Sequence, residues 1–415
     1  MNQDEFPEYT PRQPGAPMAL EGVRVVEFAH FIAGPFAATL LANFGADVIK
    51  VEAPGRGDEF RYFPPALPEM PDQGAPYIWA NRNKRSITLD LKSEEGLSVA
   101  RDLVKSADVV IENFSGDVMQ RFGLDYASCK AIKHDIIYCS VSAYGKDGAF
   151  AKRLGFDTVA QAESGFFSLN GYADRPGVRA GSPVVDITTA LMASNGILAA
   201  LNYRARTGQG QQLQIALYES ATLLAGYASM QNLLCGFEPQ RNGNDSPDTA
   251  PTAAFMSADR PFYVNCGNSK IYQRLCIDVL ERPDLANDPT LADRDGRMAR
   301  RQELFDTLQE IFKSKPWAHW QVRLEKASVP SAEIRTLPDA LRSPEARSLE
   351  LVTRIPHPVL GWIPHVRLPL RMGETPAADP RPAPSVGQDT NDVLASTLGY
   401  GFDRIEKLRK DGALG

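Results

Sequence analysis

Asp186 is the residue of this chain whose surroundings point most directly to chemistry. It stands in a mainly apolar segment, GSPVVDITTALMASNGILAAL (181–201), where an ionised acid is costly to bury without compensation. Two interpretations remain open: Asp186 caps a helix that begins at Ile187, a role that Asp favours, or its carboxylate is a nucleophile that forms covalent intermediates. The two roles are compatible, because amides at a helix start also stabilise negative charge. Those amides are the expected donors to a reaction oxyanion.

The other common enzyme signatures are missing from the sequence. It contains no G-x-G-x-x-G after the first predicted strand, no Walker loop, no G-x-S-x-G elbow and no His-Glu-x-x-His. No two histidines have a helical ligand spacing; they are His30, His134, His319, His357 and His365. We therefore expect no metal centre and no serine hydrolase chemistry.

Short runs rich in β-branched residues alternate with segments of helical periodicity. The first such unit is a strand at 23–29, a helix at 35–46 and a strand at 47–52. The pattern continues with strands predicted at 86–91, 108–114, 135–145 and 212–220 and helices at 93–107 and 186–205. Strands alternating with helices predict an α/β fold with a mainly parallel sheet covered on both faces.

The composition along the chain predicts four parts. Residues 1–19 form a Pro-rich flexible leader, and residues 20–225 form the first part of a large domain. A turn-rich stretch near 236–252 marks a boundary, so 226–335 is assigned to a linker and a small α+β domain. Residues 336–415 are a proline-punctuated return linker and a helical tail, with too little apolar periodicity for a core of their own. We expect this last part to pack on the large domain.

Charge and cysteine usage exclude several classes of protein. Lys plus Arg number 45 and Asp plus Glu number 51, a net charge of −6, so a nucleic-acid partner is not expected. The first nineteen residues lack the apolar run of a signal peptide, and no run of about 18 apolar residues follows, so no membrane partner is expected. Five cysteines without Cys-x-x-Cys spacing argue against a disulfide framework and favour the cytoplasm.

Several consecutive motifs carry a family resemblance. Besides the Asp186 segment they are LEGVRVVEFAHFIAGPFAATLLANFGADVIKVEAPGRGDEFR, NRNKRSITLDLKSEEG, ADVVIENFSGDVMQRFGL, SVSAYGKDGAFA and RTGQGQQLQIALYESA. From about residue 20 to the C-terminus the chain resembles the family III CoA-transferases, the group that includes formyl-CoA transferase, the carnitine CoA-transferases and the α-methylacyl-CoA racemases.

The resemblance implies a fold and a reaction. The fold is an interlocked homodimer, in which each chain has a Rossmann-like large domain with a small domain inserted. The reaction moves CoA from an acyl-CoA donor, with succinyl-CoA as the expected donor, to a free carboxylic acid, with a short dicarboxylate as the expected acceptor. Covalent intermediates form on Asp186. The CoA thioester is a substrate, and no permanently bound cofactor is expected.

The resemblance also implies residues that bind the substrate. His30, Phe31, Ile32 and Ala33 lie at the thioester end of CoA, and Ile32 replaces a Gln of formyl-CoA transferase, which argues against formate or oxalate. Lys84, Arg85 and Arg121 match positions that meet the CoA nucleotide, where cations suit phosphates. Asn113 and Phe114 match residues that flank the adenine, and Tyr144 matches one near the active-site carboxylate. Asn242, Gly243 and Asn244 match a glycine-rich lid of which one Gly remains here.

Two alternatives stay open at this point. The racemase branch uses a His in a Gly-His-Asp motif together with a later Asp, because moving a proton between two faces of a carbon needs two titratable groups. Here the motif reads Gly155-Phe156-Asp157, which disfavours a racemase. The second alternative is a non-catalytic CoA-binding subunit, and the presence of Asp186 argues against it.

Overall fold

The computed structural model describes residues 5–414, which contain strands in three sheets. In chain order the strands are β1 (Arg24–Phe28), β2 (Asp47–Glu52), β3 (Lys84–Thr88), β4 (Val109–Glu112), β5 (Ile137–Ser142), β6 (Gln212–Ala216), β7 (Thr252–Met256), β8 (Pro261–Asn265), β9 (Ser331–Glu333), β10 (Val352–His357) and β11 (Gly361–Val366).

Helices connect most of these strands. In chain order they are α1 (Ala33–Asn43), α2 (Ala75–Ala80), α3 (Glu94–Ser106), α4 (Val118–Arg121), α5 (Tyr126–Ile132), α6 (Asp157–Glu163), α7 (Phe166–Leu169), α8 (Val184–Thr207), α9 (Leu217–Leu224), α10 (Tyr227–Cys235), α11 (Ser269–Arg274), α12 (Pro283–Ala286), α13 (Arg294–Ala299), α14 (Arg301–Phe312), α15 (Trp317–Lys326), α16 (Leu337–Leu341), α17 (Pro344–Ser348), α18 (Thr390–Asp392) and α19 (Phe402–Lys410).

The chain folds into two compact units. The first comprises the described residues up to Phe166, then Arg179–Gly226, and then the residues from Arg347 onward. The second comprises Phe167–Val178 and Tyr227–Ala346. The segment Phe167–Val178, which the sequence analysis assigned to the large domain, groups with the second unit because the Arg241 guanidinium donates to backbone carbonyls of Tyr172 and Arg175.

The first unit is built on a six-stranded sheet in the order β3-β2-β1-β4-β5-β6. Every neighbouring pair in this sheet is parallel, which confirms the predicted α/β class. The chain moves from β1 outward to β3 and then returns to the other side of β1 with β4. The strand order therefore reverses between β1 and β4, the place where open α/β sheets bind ligands at the carboxyl ends of the strands.

Apolar side chains alternate between the two faces of the sheet and give two cores. Val25 points to the core formed with α1 and α8, and Val26 points to the core formed with α3. Ser93 caps α3 by accepting a hydrogen bond from the Gly96 amide at 3.0 Å, as predicted from its position before the helix.

Helix α8 is a core element of this unit. Among the described residues it is long and apolar enough to cross a membrane by length and composition. One side of it is buried here, including Val185, Ala193 and Ile197, and it packs against α1 and β5.

The C-terminal segment completes the first unit. The Asp389 carboxylate accepts a hydrogen bond from the Ser86 amide at 2.8 Å on the edge strand β3, and the Ser86 carbonyl accepts one from the Asp389 amide at 2.9 Å. Beyond it, Val393, Ile405 and Leu414 are buried in the same core as Val26. The antiparallel pair β10–β11 also belongs to this unit, in a stretch where the sequence analysis expected only a proline-punctuated linker.

The second unit has its own antiparallel sheet, β7-β8-β9. Aromatic side chains fill its core: the Phe312 ring lies 4.9 Å from that of Phe262 and 5.3 Å from that of Trp320, measured between ring centroids. This is an α+β arrangement, because helices, among them α11, α14 and α15, pack against the sheet and contribute to the core.

Candidate active site

A cavity of about 410 Å³ opens in the first unit at the carboxyl ends of β1 and β4. Seven of the expected catalytic and substrate-binding residues line it, namely His30, Phe31, Ile32, Ala33, Asn113, Phe114 and Asp186. The structure therefore brings the expected thioester-end segment, the adenine-flanking pair and the nucleophile candidate together at the reversal point of the sheet.

Asn113 joins the two strand ends that form the floor of this cavity. Its side-chain oxygen accepts a hydrogen bond from the His30 amide at 2.9 Å, and its side-chain nitrogen donates to the His30 carbonyl at 2.7 Å. Both ends of the Asn113 amide are thus occupied by backbone, so its evident role is to fix the His30 segment. Phe114 lies against the His30 ring, with 5.1 Å between centroids.

Phe31 adopts a conformation that is uncommon for a large side chain. Its φ of +64° lies in the left-handed region, where a non-glycine residue is held at an energetic cost. The Asp58 carboxylate accepts a hydrogen bond from the Phe31 amide at 3.3 Å. The Phe31 ring packs edge-on against Phe63 and Phe156, at 5.9 and 5.7 Å, so the strained residue is fixed at both backbone and side chain.

Asp186 is the third residue of α8 and not its cap. The predicted helix start at Ile187 was wrong, because α8 begins at Val184 with Pro183 before it. The Asp157 carboxylate supplies the missing cap by accepting hydrogen bonds from the amides of Val185 at 2.8 Å and Asp186 at 3.1 Å. Burial, and secondly the neighbouring Asp157 charge, raise the pKa of Asp186 from 3.8 to about 7.

The amides at the start of α8 are not available to an oxyanion, contrary to the expectation from sequence. Asp157 takes two of them, and the amides of Val184 and Ile187 donate to the carbonyls of Ser182 and Pro183 at 2.8 and 3.0 Å. Helix α1 differs, because its cap position, Ile32, offers no side-chain hydrogen bond and Ala33 lines the cavity. First-turn amides have no acceptor within their own helix, and Ala33 is the first-turn residue of α1 that lines the cavity.

Lys84 does not have the role that the resemblance implied. Its ammonium is buried and donates to the Pro35 carbonyl at 2.7 Å and to the Asn81 side chain at 2.8 Å, and it pairs with Glu27 at 2.7 Å. An ammonium with three protein partners has no donor left for a phosphate.

Lys84 belongs to a buried charge network, formed by Glu27, Lys50, Glu52, Asp58, Arg61 and Lys84. Lys50 pairs with Glu27 at 2.8 Å and with Asp58 at 2.9 Å. Burial is the largest single influence on Asp58 and opposes its charge. The Lys50 ammonium, the His30 side chain and the Phe60 amide together outweigh burial and hold the pKa of Asp58 well below its usual range. The network thereby keeps Asp58 ionised beneath Phe31. Asp58 was missed in the sequence, where its only signal is an acid soon after a predicted strand.

The remaining expected nucleotide contacts lie outside the described lining of this cavity. Arg85 pairs with Asp47 at 2.6 Å, and its side chain is 16% exposed. Arg121 is exposed at the end of α4 and lies 3.5 Å from Asp117. Arg121 is therefore the more accessible of the two cations for a phosphate.

Tyr144 is also outside that lining. It is half-buried, its hydroxyl donates to the Glu163 carboxylate, and the Arg153 guanidinium lies 4.7 Å from its ring centroid. It packs near Tyr218, at 5.9 Å between centroids.

The expected lid residues lie in the second unit. The Gly243 amide donates to the Gly171 carbonyl at 2.9 Å, and Asn244 donates to the Tyr172 hydroxyl at 3.3 Å. Asn242 donates to the Gln240 carbonyl at 2.8 Å. Gly243 has φ +60°, and a Cβ there would lie 2.3 Å from the Tyr172 ring, so this position requires glycine.

Residues 5–414 contain no group of three or more His, Cys, Asp or Glu side chains that could hold a metal ion.

The sheet order, the cavity and its half-buried acid define an α/β protein with a candidate active site at the strand reversal. Residues 20–390 match the profile of CoA-transferase family III, and the chain belongs to this family. It is 35% identical over 385 residues to the succinate–glutarate CoA-transferase of Agrobacterium fabrum strain C58, an alignment that covers 91% of this chain and 95% of that protein. It is 31% identical to the human succinyl-CoA:glutarate CoA-transferase, over 95% of this chain and 90% of that one.

A solved structure supports the same assignment. The crystal structure of a CAIB/BAIF family protein from Brucella suis superposes with a TM-score of 0.82 at 34% identity, covering 92% of this chain and all of that one. The chain is therefore a family III CoA-transferase, and CoA thioesters are the substrates of its class.

Proposed function

We propose that this enzyme moves CoA from succinyl-CoA to a short dicarboxylic acid through covalent intermediates on Asp186. The observation that carries the proposal is the Asp186 carboxyl itself, which lines the cavity at the strand reversal and whose pKa is raised to about 7. A carboxylate that is poorly stabilised by its surroundings is a stronger nucleophile than one in water. The names of the relatives, which pair succinate or succinyl-CoA with glutarate, support the choice of substrates.

The first half of the reaction loads CoA onto the enzyme. A carboxylate oxygen of Asp186 attacks the thioester carbonyl carbon of the donor, and the C–S bond breaks to give an acyl-aspartyl anhydride and CoA thiolate. The thiolate then attacks the Asp186 carbonyl carbon and expels succinate as the carboxylate. The product is an aspartyl-CoA thioester.

The second half runs the same steps in reverse. The acceptor carboxylate attacks the aspartyl thioester, releasing CoA thiolate and forming a new anhydride. The thiolate attacks the acceptor's carbonyl carbon, which yields the new acyl-CoA and returns Asp186 as the carboxylate. Every intermediate keeps an activated acyl group, so the exchange needs no external energy source. The amide of Ala33, which lines the cavity at the start of α1, is the donor that we assign to the oxyanions in these steps.

Two features of the cavity support this choice of chemistry. Phe156 lines it at the position where racemases keep a His, and a phenyl ring cannot deliver a proton. Among the described lining residues His30 is the one basic side chain, and it is the group we assign to the second carboxylate of the acceptor.

CoA itself would extend from this cavity toward Phe114 and Arg121. Phe114 offers a ring against which the adenine stacks, and the exposed guanidinium of Arg121 suits the nucleotide phosphates. Arg85, Tyr144 and the loop Asn242–Asn244 stay proposed contacts of the loaded enzyme.

We also propose that the enzyme is an interlocked homodimer. None of the nine residues of α10 is buried, and Leu233 and Leu234 are 76% and 75% exposed. An apolar helix surface of this kind marks an interaction site, and a second copy of the chain is the proposed occupant. Light scattering on the purified protein should give twice the chain mass.

Trapping the intermediates tests the covalent route. Hydroxylamine added during turnover with succinyl-CoA and glutarate should inactivate the enzyme and convert Asp186 to a hydroxamate, which mass spectrometry detects on its peptide. Asp186→Asn should form no adduct and keep well under about a tenth of the wild-type kcat, since loss of a nucleophile costs several kcal/mol. Asp403→Asn, on the exposed start of α19, is the matched control. An active enzyme without an adduct on the Asp186 peptide would overturn the proposal.

A further inference from the structure

The start of α8 depends on a residue from another helix. Pro183 precedes the helix and offers no side-chain hydrogen bond. One oxygen of the Asp157 carboxylate, Oδ2, accepts from the amides of both Val185 and Asp186, at 2.8 and 3.1 Å. Asp157 is 7% exposed and is the first residue of α6. The backbone amide of Asp186, the proposed nucleophile, thus donates a hydrogen bond directly to another acid, Asp157, which is buried.

The other oxygen of Asp157 is fixed as well. Gln161 donates from Nε2 to Oδ1 of Asp157 at 2.5 Å, and its Oε1 accepts from the Ala180 amide at 2.9 Å. Gln161 is fully buried. This chain of hydrogen bonds sets the orientation of the Asp157 carboxylate, which does not itself belong to the described lining of the cavity.

We infer that Asp157 is a positioning residue, which fixes the first turn of α8 and whose negative charge makes the neighbouring Asp186 carboxylate a better nucleophile. The inference rests on the proposed covalent role of Asp186. It follows from the geometry, because the Asp157 carboxylate takes the place of an N-cap side chain and is bonded to the amide of Asp186 itself.

The capping contact also brings a negative charge close to Asp186. A like charge disfavours the ionised form of a carboxyl and so makes the carboxylate more basic. Burial and the neighbouring Asp157 charge together raise the pKa of Asp186 to about 7. The other titratable side chains in the described lining are His30 and Glu59, and neither is the source of this effect, which comes from burial first and from Asp157 second.

The pH profile separates this role from a merely structural one. In wild type the acid limb of kcat/KM for succinyl-CoA should report the ionisation of Asp186. Asp157→Asn keeps the size of the side chain and one acceptor but removes the charge, so the limb should move about one pH unit to the acid side. The kcat at pH 8 should fall at least about threefold while KM changes less than about twofold, because Asp157 does not line the cavity.

A second variant separates charge from orientation. Gln161→Ala releases the Asp157 carboxylate without neutralising it, so kcat should fall while the acid limb stays at its wild-type pH. Asp403→Asn should alter neither quantity. An acid limb that does not move in Asp157→Asn, in a variant that is folded by circular dichroism, would overturn the inference.

The two proposals fail in different ways. If Asp186→Asn retains activity and no adduct forms, the covalent route itself is wrong. If the adduct forms on Asp186 but Asp157→Asn leaves the pH profile unchanged, the covalent route stands and only the role of Asp157 is refuted. For a variant that melts early, the pH dependence of single-turnover adduct formation at low temperature gives the same comparison.

Discussion

Replacing Asp186 by Asn should stabilise the folded chain, and by an amount that grows with pH. The wild-type carboxyl has a pKa of about 7 in place of 3.8, and one pKa unit corresponds to about 1.36 kcal/mol. Ionised Asp186 therefore costs the fold up to about 4 kcal/mol. Because the side chain is partly open to the cavity, solvent reduces this cost, and about 2 kcal/mol is the expected effect.

The sign follows from the direction of the pKa change. A carboxyl whose pKa is raised by folding contributes stability that is fully present below pH 4 and is lost as the pH rises through 7. The asparagine amide resembles the protonated carboxyl and does not titrate. Wild type and variant should therefore be similar in stability near pH 4, and the variant should be the more stable by pH 8.

Thermal unfolding at several pH values checks this. Between pH 4 and pH 8 the difference in Tm between Asp186→Asn and wild type should grow by about 5 °C. Asp403→Asn, an exposed change of the same type, should show no such trend. A Tm difference that stays constant over this range would refute the reasoning that ionised Asp186 destabilises the folded chain.

Two further predictions concern the surroundings of the site. Lys50→Met leaves Glu27 and Asp58 buried without the ammonium that pairs with both, which should lower the free energy of unfolding by about 3–5 kcal/mol. A variant that melts at the same Tm as the wild type would contradict this pairing. Because Phe156 replaces the His of the racemases, 2-methylacyl-CoA should show no exchange of its α-proton into deuterated water, measured by NMR while CoA transfer goes to completion. Exchange as fast as transfer would mean that another group acts as the second base.

The architecture of the first unit was predictable because its signals are local. Strands β1, β2 and β4 are short runs rich in β-branched residues, and Ser93 marks a helix start by its own side chain. The pair β10–β11 was not predictable, because Pro356 and Pro364 interrupt both strands and are tolerated only in a two-stranded sheet with free edges.

The candidate site was predictable only in part, because some of its contacts are not local in the sequence. The apolar neighbours of Asp186 indicated an acid in an apolar environment. The residue that caps its helix, Asp157, comes from another helix, and this contact is visible only in the folded chain. For Lys84 the sequence predicted a phosphate contact that the structure does not support, because the side chain is buried. A cation in a motif gives no sign of whether it will face solvent, and here α1 and Glu27 enclose it.

The way the C-terminal segment closes the first unit has a consequence for synthesis on the ribosome. The strands β1 to β6 leave the exit tunnel early, yet the core around Val26 lacks Ile405 and Leu414, and the edge strand β3 lacks its partner Asp389, until these much later residues have been made. The second unit is almost contiguous and can complete its core sooner. The usual N-terminal-first order of folding during translation is therefore reversed, and the unit that carries Asp186 is the last to be finished.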